Sequence, residues 1–383
     1  MNKRLRGLSL FANVGVAEAY LKEIGIDIII ANEIDIKRAR FYKHLYPETE
    51  MIIGDITNQE IRSEIVEKAK YNDIDFIIAT PPCQGMSLAG SLDPLDERNQ
   101  LIYFAVDVIK KVKPKYVLLE NVPQQLKTKI KYKGELILIP DYIKLELEGL
   151  YEFNDNPIIK AMEYSVPQMR KRSIYLMSRK DQVYKWEFPK KHDKIITVRD
   201  ALGNLPSVYP LLREGYEETI KMFPDYEEKR IEAEKISAWH RPPIHAKRHV
   251  EWMLRTPSGC TAFDNKEYYP QKANGERING HYNTYRRQEW DKPARTITQN
   301  SGVISSLACV HPGYKLCDSD DESQRRYSDP RCYTIYELLI ITSLPTNWNI
   351  PEWANERMIR SVIGEGIPPL LVKCICENLM KNI

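Results

Sequence analysis

The chain has 383 residues, 43% of them hydrophobic and 28% charged, which is long enough for one large domain and a smaller one. With no low-complexity tract and no internal repeat, that balance excludes a disordered, fibrous or solenoid protein. The formal net charge of +3 permits an acidic partner such as nucleic acid without demanding one, and no apolar run approaches a membrane span.

The basic, glycine-interrupted N-terminus reads as a first strand rather than a secretory signal. That strand is expected over residues 5–11, then a tight turn, then a helix over 16–23. A near-continuous apolar run at 26–31 ends in Asn32-Glu33. A helix is expected from there to His44, then a short strand at 51–53 closed by Gly54-Asp55. Helical spacing returns over 60–70, followed by an apolar strand at 74–79. Residues 101–112 read as a helix and 116–119 as a fifth strand, ending in Glu120-Asn121-Val122. Apolar strands separated by helices predict βαβ units, hence an α/β fold with a parallel sheet and right-handed crossovers. Residues 123–160 read as a connection with little signal of their own, and 168–176 as a further strand.

Asn13, Glu33, Asp55, Cys83 and Glu120 each fall just past the carboxyl end of an expected strand, the edge where open α/β sheets bind ligands. The first turn, Phe11-Ala12-Asn13-Val14-Gly15, offers one glycine where a dinucleotide fingerprint needs three, which disfavours NAD and FAD. Glu33 is placed to accept from ribose hydroxyls and Asp55 from an adenine amino group. A nucleoside without phosphates fits, and S-adenosylmethionine is the common cofactor of that kind.

The stretch Thr80-Pro81-Pro82-Cys83 fixes the backbone immediately before a thiol. A rigid loop on the ligand edge marks Cys83 as a nucleophile rather than a buried structural cysteine. The seven cysteines form an odd set without a C-x-x-C pair, which predicts a reduced, cytoplasmic protein. His240, His245, His249 and Cys260 match no common zinc spacing; they read as isolated surface histidines, with no metal expected.

PPCQ, followed by ENV and then by QMRKR at 168–172, makes a specific combination. In motif order from FANVG through ANEID and GDIT onward, the chain resembles the cytosine-C5 DNA methyltransferases of bacterial restriction–modification systems, nearly end to end. The resemblance implies a Rossmann-like S-adenosylmethionine-dependent catalytic domain (1–195), a smaller target-recognition domain (196–320) and a C-terminal segment (321–383) returning to the first. It implies that Cys83 attacks cytosine C6, that Glu120 engages N3, and that Arg170 and Arg172 assist. If 168–176 is a strand, Gln168, Arg170 and Arg172 share one face by its period of two.

The implied cofactor contacts are Phe11, Ala12, Asn13, Gly15, Glu33 and Ile34 in the first half of the sheet. Asp55, Ile56, Pro81, Leu101 and Glu365 complete them. Four positions depart from the family pattern: Ser9 stands where an acidic residue is usual, Asn13 and Val16 replace glycines, and Glu365 replaces an asparagine. DNA contacts are expected from Gln84, Ser87, Gln168, Arg295 and Thr296, and from Arg277, Arg286 and Arg287 in the stretch GERINGHYNTYRRQEWDKP. Gln84-Gly85-Met86-Ser87 is expected to close over the base, with Gly85 and Gly90 as hinges. Residues 227–235 read as a charged helix, 333–344 as a helix and loop, and 364–379 as a final helix beside the cofactor. The implied partners are double-stranded DNA and a paired restriction endonuclease, the enzyme itself acting as a monomer. The rivals are the tRNA-methylating branch of the family, whose cysteine motif is not seen here, a catalytically inactive DNA-binding regulator, and a nicotinamide oxidoreductase.

Overall fold

Strands that are apolar on both faces need cover on both faces, and this chain supplies it from opposite ends of the sequence. β1 (Leu5–Leu10), β2 (Ile26–Glu33), β3 (Glu50–Ile53), β4 (Phe76–Ala79) and β5 (Tyr116–Asn121) lie parallel in the order β3-β2-β1-β4-β5. This computed structural model describes residues 4–82, 97–317 and 319–383. Cys83, Gln84, Ser87 and the glycines proposed as hinges lie outside the described residues.

The crossover helices are α1 (Ile36–Leu45), α2 (Gln59–Tyr71) and α3 (Leu101–Val112). Asp35 caps α1 by accepting from the backbone N–H groups of Lys37 and Arg38, and Asn58 caps α2 through Glu60 N–H. The connection after β5 is more structured than its sequence suggested. It forms a hairpin, β6 (Lys129–Tyr132) and β7 (Glu135–Leu138), then α4 (Ile139–Leu147), β8 (Tyr151–Phe153) and β9 (Ile158–Lys160). β10 (Lys171–Arg179) then pairs antiparallel with β5, β8 and β9, completing an eight-stranded sheet among the described residues.

Two expectations fail here for physical reasons. Residues 16–23 form turns and one 3₁₀ turn at Lys22–Ile24 rather than a helix. Their apolar side chains serve different cores: Val14 and Val16 pack toward the C-terminal helices, while Ala17 and Leu21 pack under the sheet. No single helical face meets both demands. The last long strand begins at Lys171, because Met169 N–H donates to the Ala294 carbonyl at 2.7 Å and Gln168 bridges to the same residue. Gln168 and Arg170 therefore lie outside the strand whose period was to align them with Arg172.

α5 (Val198–Leu202) starts on a capping box between Thr197 and Asp200. α6 (Tyr216–Met222), α7 (Tyr226–Ile236) and α8 (Lys247–Arg255) follow, with clusters of their own around Phe223 and Val250 and around Met253, Tyr285 and Cys332. α9 (Ile335–Ile341) and α10 (Glu356–Glu365) pack with α5, Trp290 and Val14. The final helix, α11 (Pro369–Asn382), starts later than expected because residue 364 still belongs to α10, which Gly366 caps, and Pro369 occupies a first-turn position. Leu371, Val372, Ile375 and Leu379 of α11 cover the sheet face carrying Phe76, Ile78, Leu118 and Leu176. α2, α3 and α4 cover the other face.

Fully buried charge ties the middle of the chain to α9. Arg331 donates to Asp329 and Glu337 at 2.8 Å each and to the Val208 carbonyl at 2.7 Å. Arg331→Ala takes away the cation shared by two buried carboxylates, so a loss of about 3–5 kcal/mol is expected, read as a lower urea midpoint. An unchanged midpoint would show that the network carries no net stability.

Candidate active site at the carboxyl edge

The turn after β1 is wound tightly. Phe11 and Asn13 take left-handed conformations (φ 57° and 50°), and Gly15 does the same at φ 81° against the Tyr46 ring, where a Cβ would collide. Ala12 N–H donates to Asn32 O, and the Tyr46 hydroxyl donates to Gly15 O at 2.6 Å. Wound this way, the turn aims Asn13 N–H at Glu33 Oε2 (2.8 Å), while Asp35 N–H donates to Oε1 (2.9 Å). Glu33 is buried; desolvation pushes its pKa up, opposed by these two backbone donors.

The side chain of Asn13 reaches the other end of the sequence. Its Nδ2 donates to Glu365 Oε2 at 3.2 Å, whereas its buried Oδ1 has no partner among the described residues. Glu365 is also clamped by Arg38 at 2.7 Å and accepts from Ser361 Oγ. Beyond β3, Asp55 is exposed and accepts from Thr57 N–H, and Ile34 stands 62% exposed beside Glu33. The Ile56 side chain, by contrast, is sunk in the core with Ile65 and Ile102, so it leaves only its backbone at the edge. Leu101 packs half-buried against the same core.

The peptide leading to Cys83 is fastened on both sides. Thr80 N–H donates to Leu10 O and Thr80 Oγ1 to Phe11 O, each at 3.2 Å. The Pro81 carbonyl accepts from Asn121 Nδ2 at 3.1 Å, and Asn121 Oδ1 accepts from Val122 N–H. Next to this strap, Arg172 Nε lies 2.5 Å from Glu120 Oε1, an ion pair whose angle is outside hydrogen-bond geometry, both side chains about a tenth exposed. Water is largely excluded there, so the pair interacts more strongly than a surface pair of the same length.

Several expected site residues sit elsewhere. Arg170 does not flank Arg172; it donates to the carbonyls of Ile297 (2.9 Å), Gly364 (3.0 Å) and Glu365 (2.9 Å). Gln168 is fully buried, its Oε1 accepting from Ile297 N–H, and is out of reach of DNA. Arg287 is also fully buried and donates to the carbonyls of Met253, His311, Ser328 and Asp329, so it cannot meet a phosphate or a base. Arg277 is exposed over the Tyr269 ring, Arg286 half-buried over Tyr282, and Arg295 half-buried beside Asn283; Thr296 is exposed. Two of the histidines expected at the surface are buried: His240 bonds Thr334 Oγ1, and His245 Nε2 accepts from Cys332 N–H.

A model of the C-5 cytosine-specific DNA methylases matches residues 5–381. The chain belongs to that family. It is 40% identical over 388 residues to the Type II methyltransferase M1.HgaI of Avibacterium volantium, covering 100% of this chain and 99% of that protein. It is 27% identical to the Type II methyltransferase M.XorII of Xanthomonas oryzae, over 98% of this chain and 85% of the relative. Among solved structures it shares the fold of a putative DNA modification methyltransferase from an Escherichia coli prophage, with a TM-score of 0.67 at 21% identity over 98% and 99% of the two chains. The methylase is thus a DNA cytosine-5-methyltransferase with Type II relatives, which favours the DNA branch over the tRNA branch. No helix among the described residues is long and apolar enough to cross a membrane.

Three residues at this edge escaped the sequence reading. Asn121 was legible within ENV. Arg38 left a fainter sign, a cation in the first turn of a helix, where the dipole disfavours it. Glu18 stood out as a lone charge in VGVAEAYL, and it explains the missing acid of β1: Ser9 Oγ donates to Glu18 Oε1 at 2.5 Å, with both residues buried.

Burial pushes the Glu18 carboxyl up to about 7. A carboxyl whose folded pKa is raised costs nothing below its unfolded value; the cost grows as pH rises toward the folded value and is full above it. Glu18→Gln, which keeps an acceptor for Ser9, is expected to exceed the parent in stability by about 3 kcal/mol at pH 8. The gain should vanish near pH 4.5, the group's ordinary value. Urea denaturation across that range measures it, and a pH-independent difference would remove Glu18 as the titrating group.

Proposed function

We propose that this edge methylates C5 of a cytosine flipped out of double-stranded DNA, with Glu120 and Arg172 receiving the base and Cys83 supplying the nucleophile. The supporting observation is the buried Glu120–Arg172 pair at 2.5 Å, beside the strap that holds the peptide before Cys83. Cytosine C5 is a poor nucleophile until something adds at C6. The Cys83 thiolate forms that bond while the protonated Glu120 carboxyl gives its proton to N3, so the ring's electrons move to C5 and the carbon becomes an enamine terminus; N3 returns the proton when the thiolate leaves. After methyl transfer a base takes the C5 proton and the thiolate leaves. A base inside a duplex cannot present C6, so flipping, at a cost of a few kcal/mol, precedes chemistry. Arg172 keeps the Glu120 carboxylate aimed until the base arrives. Arg170 is a positioning residue.

S-adenosylmethionine fits the residues at the turn. The orphaned Asn13 Oδ1, the Glu33 carboxylate and the exposed Ile34 suit a nucleoside, and no glycine-rich cradle awaits a pyrophosphate. Glu33 would hold the ribose hydroxyls, Asp55 the adenine amino group, and Glu365 the amino-acid end. When bound, the cofactor supplies an electrophilic methyl group on a sulfonium. Residues 196–320 form the recognition domain in this reading, with Arg277, Arg286, Arg295 and Thr296 toward DNA. The methylase acts as a cytoplasmic monomer that protects sites of a paired endonuclease.

Glu33→Ala is expected to weaken calorimetric S-adenosylmethionine binding by roughly 1–3 kcal/mol; unchanged affinity would take Glu33 out of the site. A duplex carrying 5-fluorocytosine at the target is expected to trap a covalent adduct with the parent in the presence of cofactor, because fluorine cannot leave C5 as a proton does. Cys83→Ser should form none and lose turnover. Intact-mass measurement decides: a parent that methylates DNA yet leaves no adduct overturns the covalent mechanism.

A further inference from the structure

The β6–β7 hairpin carries a charge pattern that base flipping and cofactor binding leave unused. Lys129 and Lys131 alternate along β6, Lys127 ends the 3₁₀ turn before it, Lys133 stands in the turn after it, and all four are exposed. The other face of the hairpin is fixed to the protein. Ile130 is fully buried in the main core, with Tyr132 and Ile137 packed against it. Thr128 O accepts from Ile139 N–H at 3.0 Å, the Tyr132 hydroxyl donates to Glu146, and the Tyr103 hydroxyl donates to Lys131 O. An inner face anchored this way holds Lys129 and Lys131 outward, with Lys127 and Lys133 exposed at the two ends of the strand. Among the described residues none of the four ammonium groups is in ion-pair contact with a carboxylate; Lys133 lies over the Tyr132 ring and adds to the field that Lys110 sets at Glu146, and Glu135, the acid nearest in sequence, is exposed across from Tyr132.

Topology puts this hairpin on the reacting edge. It leaves β5 directly after Glu120-Asn121 through a 3₁₀ turn at Pro123–Lys127. It returns through α4 to β8, whose Tyr151 pairs with Arg179, next to the Ser178–Tyr116 pair at the amino end of β5. α4 therefore runs from the carboxyl edge to the amino edge, and the hairpin before it belongs to the carboxyl edge. Lys127 is seven residues beyond Glu120, a reach of about 25 Å even if fully extended, whereas one turn of B-DNA is about 34 Å. A duplex delivering a base to Glu120 has phosphates within that reach.

We propose that the lysine face of the β6–β7 hairpin is a second DNA-binding surface, one that takes duplex phosphates flanking the flipped base without reading sequence. It rests on the DNA reading above. The competing explanation is that the lysines merely guard an exposed strand edge against aggregation.

The test compares the parent with the K127Q/K129Q/K131Q/K133Q variant and with the corresponding four-arginine variant. Each is titrated with a mixed-sequence duplex over a salt series, with melting temperature and S-adenosylmethionine affinity confirming the fold. Every lysine–phosphate pair that the glutamines abolish should take about 0.9 off the slope of log affinity against log salt, roughly a threefold smaller fall in affinity between 50 and 200 mM salt. The glutamine variant should bind more weakly with a shallower slope and methylate the same sites, and the arginine variant should behave like the parent. A glutamine variant with parental affinity and slope overturns the proposal, whether its solubility falls, as edge protection requires, or an acidic protein proves to be the lysines' partner. A parent that binds no duplex at any salt overturns the DNA reading as well.

Discussion

Arg170 is where three distant parts of the chain become one site. Its guanidinium, almost fully buried, donates to the carbonyls of Ile297, Gly364 and Glu365. Those carbonyls lie in the segment after Trp290 and at the end of α10, while Arg170 itself leads into β10, next to β5 and its Glu120. A guanidinium offers five donors in a fixed planar fork, where a lysine ammonium has three on one atom, so it can reach carbonyls farther apart. Gly364 is needed at the same junction because a Cβ there would run into the backbone of Thr298. The arginine thus fixes Glu365 beside the turn after β1 and ties the middle region to β10.

The departures from the family pattern compensate one another locally. Ser9 stands where an acid is usual, and Glu18 brings a carboxyl back to it from nine residues on. Glu365 stands where an amide is usual; a carboxylate cannot donate, but Asn13 donates to it and Arg38 offsets its charge. Each substitution keeps a hydrogen bond at the turn while changing which side chain supplies it. The cost is concentrated in Glu18, a fully buried carboxyl whose environment favours the neutral form.

The middle of the chain shows why an arginine in a basic stretch is weak evidence of a DNA contact. Arg286 and Arg287 are neighbours, yet one lies half-buried over Tyr282 and the other is fully enclosed by carbonyls. Adjacent residues on an extended segment point to opposite sides, so here the alternation separates a surface role from a core role. The lysines of β6 invert the lesson: the same period of two, read against a buried Ile130, marks a continuous outward face.

The sequence by itself determined the five parallel strands, their carboxyl edge, and the presence of Glu33, Asp55, Glu120 and the Thr80-Pro81-Pro82 strap on it. Those follow from local apolar runs and from backbone restrictions that do not depend on distant partners. Tertiary structure alone decided that residues 16–23 are not a helix, that Arg170, Gln168 and Arg287 are internal ties, and that α11 covers the sheet. It also decided that Arg38 pairs with Glu365 at the carboxyl edge. In each case the outcome depends on which far segment offers a carbonyl, a carboxylate or an uncovered apolar face, and hydrophobic periodicity carries no record of that.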